Sequence, residues 1–80
     1  MTKYKFTVVV EQDEDGWFIA SCPALKGCHS QGKTYKEAMK NIREAIELNV
    51  DVRRERNEPI PFEHAVEEVE IVAKAIASKA

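Results

Sequence analysis

The sequence predicts an α+β domain in which a three-stranded antiparallel meander precedes one long amphipathic helix. Residues 4–11 alternate between apolar and polar side chains and are rich in aromatic and β-branched residues, which is typical of a strand. Asp15 and Gly16 then form a dipeptide that is typical of a hairpin turn. From Tyr35 onwards, apolar residues recur at helical spacing instead. This change from strand to helix spacing, within residues 27–38, is the best-determined feature of the sequence.

Alternation divides the side chains of the first two strands between two faces of the sheet. In residues 4–11, one face carries Tyr4, Phe6, Val8 and Val10. The returning strand, predicted at residues 17–22, has Phe18, Ala20 and Cys22 on one face and Trp17, Ile19 and Ser21 on the other. Pro23 has no N–H group and ends this strand. After a short loop at residues 24–27, residues 28–31 form a brief third strand.

The helix is predicted to begin after Thr34, whose hydroxyl makes it a good N-cap. Glu37 is expected to complete a capping box by accepting a hydrogen bond from the backbone N–H of Thr34. The helix then spans residues 35–56, with an apolar face made of Tyr35, Ala38, Met39, Ile42, Ala45, Ile46 and Asn49. Leu48 and Val52 form a second, smaller apolar stripe, which suits either the edge of the core or a contact surface.

Three arginines, Arg53, Arg54 and Arg56, cluster near the end of this helix. Cations complement the helix dipole there, and we prefer this explanation to nucleic-acid binding. The whole chain carries a net charge of −2, with an isoelectric point near 5.7, so we expect no bulk attraction to nucleic-acid phosphates.

Prolines at positions 59 and 61 end the helical pattern, and the residues after them are ambiguous. Phe62, Ala65 and Val69 suit a helix, whereas Val69 and Ile71 alternate with acidic residues as in a strand. Periodicity alone leaves both structures open. Residues 74–80 are rich in alanine and are expected to form a frayed helix or tail.

A chain of 80 residues makes one domain, which we place at residues 1–80 with residues 73–80 as its tail. No stretch approaches the roughly 20 apolar residues that a membrane-spanning helix needs, and no signal peptide precedes Tyr4. We therefore expect a cytoplasmic protein. A core this small also favours further stabilisation by oligomerisation.

Cys22, Cys28 and His29 are the residues that suggest metal or catalytic chemistry. A structural zinc site needs about four ligands, usually with closer cysteine spacing, so packing is the preferred role for both cysteines. Cys28 and His29 are adjacent on a strand and point to opposite faces, which argues against a nucleophile–base pair. The acidic residues Glu67, Glu68 and Glu70 lie far along the chain from those of the first hairpin. We expect no catalytic residue, metal or cofactor.

Several short motifs follow one another along the chain. The first are Tyr4-Lys5-Phe6 with Val8 and Val10, and Asp13-Glu14-Asp15-Gly16-Trp17-Phe18-Ile19-Ala20. Pro23-Ala24-Leu25-Lys26-Gly27-Cys28 and Gln31-Gly32-Lys33-Thr34-Tyr35-Lys36-Glu37-Ala38 follow. Asn41-Ile42, Ala45-Ile46-Glu47 and Glu58-Pro59-Ile60-Pro61 complete the set. Each motif is short, but by their order and spacing together the chain resembles the HicB-type antitoxins of HicA–HicB toxin–antitoxin pairs, over about residues 4–50.

The resemblance implies a β-β-β-α-β domain with a partial ribonuclease H-like fold, and it favours a fourth strand at residues 66–73. It also implies that the chain binds a small RNA-degrading toxin and covers the toxin's active surface. Many members of this family carry a C-terminal DNA-binding module, and residue 80 ends this chain before such a module fits. We therefore expect a short form without direct DNA binding.

The resemblance implies a small, basic HicA-type toxin as partner, and an acidic surface would complement its charge. The candidate partner-binding residues are Glu11, Asp13, Glu14, Asp15 and Trp17, an acidic hairpin beside an aromatic anchor. Ordinary turn chemistry explains the same acidic residues equally well. The alternative function is an orphan homo-oligomeric domain without enzymatic activity or a cognate toxin. In that case self-association would bury the stripe of Leu48 and Val52 and the sheet edges.

Overall fold

Three antiparallel strands and one helix form the domain in the computed structural model, which describes residues 3–61, 67 and 69–72. The strands are β1 (Val9–Gln12), β2 (Phe18–Ser21) and β3 (His29–Gly32), and the helix is α1 (Tyr35–Glu55). The sheet has the order β1-β2-β3, with both neighbouring pairs antiparallel. The predicted meander followed by a long helix is confirmed.

The first strand is shorter than the predicted residues 4–11 and begins only at Val9. The register pairs Val9 with Ser21 and Gln12 with Phe18. Continued backwards, this register would place Thr7 opposite Pro23, which lacks the N–H group that a ladder needs. The chain before Val9 therefore extends past the end of β2.

The turn between β1 and β2 is held mainly by the side chain of Asp13. Its carboxylate oxygen Oδ1 accepts hydrogen bonds from the backbone N–H groups of Asp15 and Trp17, each at 2.9 Å. Gln12 Nε2 also donates to the carbonyl oxygen of Gly16 at 3.2 Å. Two backbone bonds close the turn, from Asp13 N to Trp17 O at 2.9 Å and from Gly16 N to Asp13 O at 3.0 Å. Gly16 has a φ of 89°, a conformation that glycine adopts without steric cost. The predicted Asp-Gly turn is confirmed.

Of the two hydrogen bonds predicted to cap the start of α1, one is observed and the other has a different donor. Thr34 Oγ1 accepts a hydrogen bond from the backbone N–H of Glu37 at 3.0 Å. Glu37 Oε1, however, accepts from the backbone N–H of Lys33 at 2.7 Å, not from that of Thr34 as predicted. The reciprocal bond thus reaches one residue further back, and it ties the loop before the helix to the first turn.

The core lies between the sheet and α1. Its buried apolar residues are Ala20, Cys22, Leu25, Cys28, Ala38 and Ile42. Partly buried residues pack around it, namely Phe6, Val8, Val10, Phe18, Ala24, Met39, Ala45 and Ile46. Among the described elements, the backbone of α1 approaches β2 and β3 most closely and β1 less closely. The helix is therefore centred over β2 and β3.

Four residues show which parts of the core could be predicted from the sequence and which could not. The predicted packing role of the two cysteines is confirmed, because Cys22 is 2% exposed and Cys28 is 8% exposed. Tyr35 was predicted on the buried face of the helix but is 56% exposed, and its ring contacts Phe18 edge-on at 6.3 Å. Leu25, in the predicted loop, is fully buried.

The end of α1 is fixed by backbone and side-chain hydrogen bonds around Arg53. Glu58 N donates to Arg53 O at 2.8 Å, and Asn57 adopts a left-handed φ of 57° that ends the helix. The Arg53 side chain donates to Asn49 Oδ1 at 2.8 Å and to Pro59 O at 3.3 Å. Arg53 therefore holds the segment after the helix in place.

The predicted fourth strand at residues 66–73 lies partly outside the described residues, and the predicted tail at residues 74–80 lies wholly outside them. Within it, Glu67 and residues 69–72 are described, and they belong to no strand and are exposed. No helix of the described part is long and apolar enough to cross a membrane.

Candidate protein-interaction face

The sheet has one face packed on α1 and one open face. Val10 and Ala20 are paired and face the core, so their neighbours Glu11 and Ile19 point to the opposite side. The register continues this row across the sheet, because Ile19 pairs with Gln31. No described element covers this side. The open face therefore carries the side chains of Val9, Glu11, Trp17, Ile19, Ser21, His29 and Gln31.

The structure brings all five predicted partner-binding residues to one end of this open face. Glu11 lies on β1, Asp13, Glu14 and Asp15 form the turn, and Trp17 immediately precedes β2. The four acidic residues are exposed, and Trp17 is half-buried. We name these five residues the acidic hairpin end. Four carboxylates within residues 11–15 make a region of negative potential there.

The four carboxylates do not have the same role. Asp13 is committed to the turn, because its Oδ1 accepts two backbone hydrogen bonds. The carboxylates of Glu11, Glu14 and Asp15 accept no hydrogen bond from any described residue, so they are available to a partner. Turn formation thus explains Asp13, whereas partner binding is the explanation that fits Glu11, Glu14 and Asp15.

Lys33 is a member of this site that the sequence did not single out. Its Nζ lies 5.7 Å from the centroid of the Trp17 ring, in a cation–π arrangement. Trp17 and Lys33 are opposite each other when the pairing of β2 with β3 is extended by one residue beyond Phe18 and Gly32. The contact between Lys33 and Trp17 could have been predicted from the alternation of the strands, but only with the correct register of β2 against β3.

A second surface lies where the stripe of Leu48 and Val52 on α1 borders the start of β3. Leu48 is 66% exposed and Val52 is 36% exposed. They line a shallow depression of about 450 Å³ together with His29, Arg53 and Arg56. Glu58 also lines this depression, so its charge is mixed and it differs from the acidic hairpin end.

The two cysteines are buried in the core, whereas His29 is exposed. Cys28 is buried whereas the next residue, His29, is exposed, so the prediction that they point to opposite faces is confirmed. Burial, and secondarily the neighbouring Cys22, raise the pKa of the Cys28 thiol. A thiol that stays protonated is a poor nucleophile. Among the described residues, no cluster of three or more His, Cys, Asp or Glu side chains is placed to hold a metal ion.

Comparison with known families gives a match over most of the chain. The model of the HicB-like antitoxin of bacterial toxin–antitoxin systems matches residues 6–75. A UPF0150 protein of Thermoplasma acidophilum is 48% identical over 63 residues, which cover 79% of this chain and 91% of that protein. A UPF0150 protein of Helicobacter pylori is 65% identical over 40 residues, covering 50% of this chain and 54% of the relative.

The fold is also similar to a solved structure. The crystal structure of the N-terminal domain of the Burkholderia pseudomallei antitoxin HicB superimposes with a TM-score of 0.61. The two sequences are 30% identical, and the match covers 89% of this chain and 73% of the other. The strands and helix described above therefore have the arrangement of an antitoxin domain.

Proposed function

The chain belongs to the family of HicB-like antitoxins of bacterial toxin–antitoxin systems, and from this membership we propose that it neutralises a small RNA-degrading toxin of the HicA type by covering the toxin's active surface. The family implies a toxin partner. The HicA type of that toxin and the surface that binds it are our proposal.

The observation that supports the proposal is the acidic hairpin end. A protein that binds RNA needs a basic surface to meet the phosphates, and that surface is attracted to clustered carboxylates. Glu11, Glu14 and Asp15 present such carboxylates without a competing hydrogen bond from any described residue. Trp17 lies beside them as an apolar anchor, and tryptophan is enriched among residues that dominate binding energy.

In this proposal the chain acts by contact and has no catalytic role. Occupying the toxin's RNA-binding surface is enough to block it, so no group of the antitoxin needs to react. The net charge of −2 supports an antitoxin domain without direct DNA binding. The fourth strand at residues 66–73 and the partial ribonuclease H-like topology are likewise proposed, the strand on the alternation of Val69 and Ile71 with acidic residues.

The test is co-expression with the product of the adjacent open reading frame, followed by growth measurement and isolation of the complex. The sharper variant is Glu14→Lys with Asp15→Lys, which reverses charge while leaving Asp13 to hold the turn. We expect its affinity for the toxin to fall by about tenfold or more, with loss of growth rescue.

The matched control is Glu44→Lys with Glu55→Lys, which makes the same charge change at exposed positions on α1. This variant should bind and rescue like the wild type. Equal binding by both double variants would place the toxin elsewhere on the domain. A neighbouring gene product that is neither toxic nor bound would favour the alternative function, an orphan homo-oligomeric domain.

A further inference from the structure

Trp17 lies between an acidic and a basic residue on the open face of the sheet. The N–H group of Asp13 donates to Trp17 O at 2.9 Å, which continues the pairing of β1 with β2 by one residue. The pairing of β2 with β3, continued in the same way, puts Lys33 opposite Trp17 on the other side. One row across this end of the sheet therefore contains Asp13, Trp17 and Lys33, in that order.

The ammonium group of Lys33 lies over the Trp17 ring. Its Nζ is 5.7 Å from the ring centroid, within the range of a cation–π contact. In the described part of the chain this ammonium forms no ion pair, although residues 11–15 contain four acidic side chains. The backbone of Lys33 is held, because its N–H group donates to Glu37 Oε1 at 2.7 Å. The side chain that covers the ring is thus anchored at its backbone but exposed to solvent.

This contact opposes the binding of a basic partner at the acidic hairpin end in two ways. The ring face that a partner's cation would use is already covered by a cation of the same chain. Lys33 also adds a positive charge beside the carboxylates, which weakens their attraction for a basic surface. An exposed cation–π contact is weak, so displacing the lysine lowers the affinity of a partner by only about two- to fivefold.

We propose that Lys33 is an internal competitor, which covers the Trp17 ring in the free chain and is displaced by an arginine of the partner that takes the same ring face. The identity of that partner as a toxin rests on the function proposed above, whereas the competition at the ring does not. Lys33 therefore sets the affinity of the acidic hairpin end without contacting the partner in the complex.

Arginine is the side chain best suited to displace a lysine from this ring. Its planar guanidinium stacks on aromatic faces and is less strongly hydrated than an ammonium group. Its N–H groups can also bond carboxylates while the plane stacks. The carboxylates of Glu14 and Asp15 lie in the turn before Trp17 and accept no hydrogen bond from any described residue. An arginine thus gains both kinds of contact, whereas Lys33 in the free chain has the ring contact alone.

Displacement of Lys33 requires no change in the backbone. Its side chain is exposed and has four rotatable methylene groups, so the ammonium can move into solvent. The bond from Lys33 N to Glu37 Oε1 involves only the backbone of the lysine, so it is kept. Trp17 is half-buried, and its ring therefore stays in place while one cation replaces the other.

The first test measures whether Lys33 covers the ring in the free chain. Trp17 is the only tryptophan of the sequence, so its fluorescence reports on this ring alone. Lys33→Met keeps a long side chain but removes the charge, so quenching by caesium ions should become about twofold stronger or more. Lys33→Arg should be quenched like the wild type. Equal quenching of Lys33→Met and the wild type would overturn the proposal.

The matched control is Lys26→Met, which makes the same change of charge at an exposed position. Lys26 lies in the loop between β2 and β3, at the opposite end of the sheet from the turn between β1 and β2. Caesium quenching of this variant should equal that of the wild type. A rise equal to that of Lys33→Met would show an effect of net charge and would reject the competition at the ring.

The second test measures displacement with a defined probe, an octa-arginine peptide titrated into the full chain at physiological ionic strength. Binding is followed by the fluorescence of Trp17. Lys33→Met should bind the peptide about two- to fivefold more tightly than the wild type, whereas Lys33→Arg and Lys26→Met should show no such gain. Weaker binding by Lys33→Met would give the lysine a positioning role and overturn the proposal. Absence of peptide binding by the wild type would do the same.

This proposal and the proposed function fail separately. Tighter peptide binding by Lys33→Met, without growth rescue in the co-expression experiment, would reject the toxin as partner and support the competition at the ring. Growth rescue together with equal peptide binding by Lys33→Met and the wild type would support the toxin as partner and reject the competition.

Discussion

Gly32, the last residue of β3, lies directly against the backbone of Ala38 near the start of α1. A Cβ atom on Gly32 would be 2.5 Å from the backbone nitrogen of Ala38 and 2.9 Å from the carbonyl carbon of Glu37. Real Cβ atoms do not approach backbone atoms so closely, and neither atom belongs to a flexible side-chain end. The tight passage from strand to helix therefore requires glycine at this position.

Replacing Gly32 by alanine should destabilise the domain by about 1–3 kcal/mol, in the range of overpacked interiors, because the helix start must move away from β3. The measurement is the midpoint of urea unfolding. Gly27→Ala provides a comparison, since a Cβ there meets no atom within 4 Å but must accept a φ of 77°. A loss of stability below that of Gly27→Ala would contradict the steric argument.

Asp13 should matter for the stability of the hairpin more than its acidic neighbours do. Asp13→Ala removes the acceptor of two backbone N–H bonds and should cost about 1–2 kcal/mol. Asp15→Ala removes an exposed carboxylate and should stay within about 0.5 kcal/mol of the wild type. Thermal unfolding of both variants checks this. Equal stability of the two would mean that the Asp13 side chain does not hold the turn.

The Cys28 thiol should give the domain a dependence on alkaline pH. Because burial raises its pKa in the folded state, the unfolded chain loses this proton first as the pH rises. The thiol's contribution is therefore fully present below the ordinary thiol pKa and is lost as the pH rises through the raised one. Unfolding midpoints measured across this range should fall more steeply for the wild type than for Cys28→Ala. Parallel curves would argue against a raised pKa.

Association with the toxin should depend on ionic strength. The carboxylates of Glu11, Glu14 and Asp15 are exposed, so their long-range attraction is screened within about 8 Å at physiological salt. The association rate, followed by the fluorescence of Trp17, should therefore decrease as salt increases, with a smaller change in the dissociation rate. For Glu14→Lys with Asp15→Lys the salt dependence should be weaker or reversed. A rate independent of salt would exclude electrostatic attraction.

The elements of the fold follow from local signals that need no tertiary information. Alternation, the turn at Asp15-Gly16 and the Thr34 cap predict three strands and the helix start at Tyr35, and these are observed. The predicted start of β1 at Tyr4 was wrong, because the strand can begin only where its partner β2 is present, and β2 ends before Pro23. The exposure of Tyr35 could not be predicted either. Helical spacing shows which residues share one face of the helix, but it does not show how far the sheet extends beneath that face.

The residues of the candidate site could be predicted from the sequence, but their separate roles could not. The sequence places Glu11, Asp13, Glu14, Asp15 and Trp17 together because they are close in the chain. It does not reveal that Asp13 is used by the turn, since this depends on hydrogen-bond geometry. The contact of Lys33 with Trp17 depends on strand register. Whether these residues bind a toxin remains a prediction.

The bonds that Asp13 makes also bear on the thermodynamics of recognition. A loop that is disordered before binding must lose conformational entropy when a partner arrives, and this lowers the affinity. Here the turn is already closed by two bonds to the Asp13 carboxylate and two between backbone groups. Its charges are thus fixed in space before the encounter, and only side-chain rotations remain to be restricted in the complex.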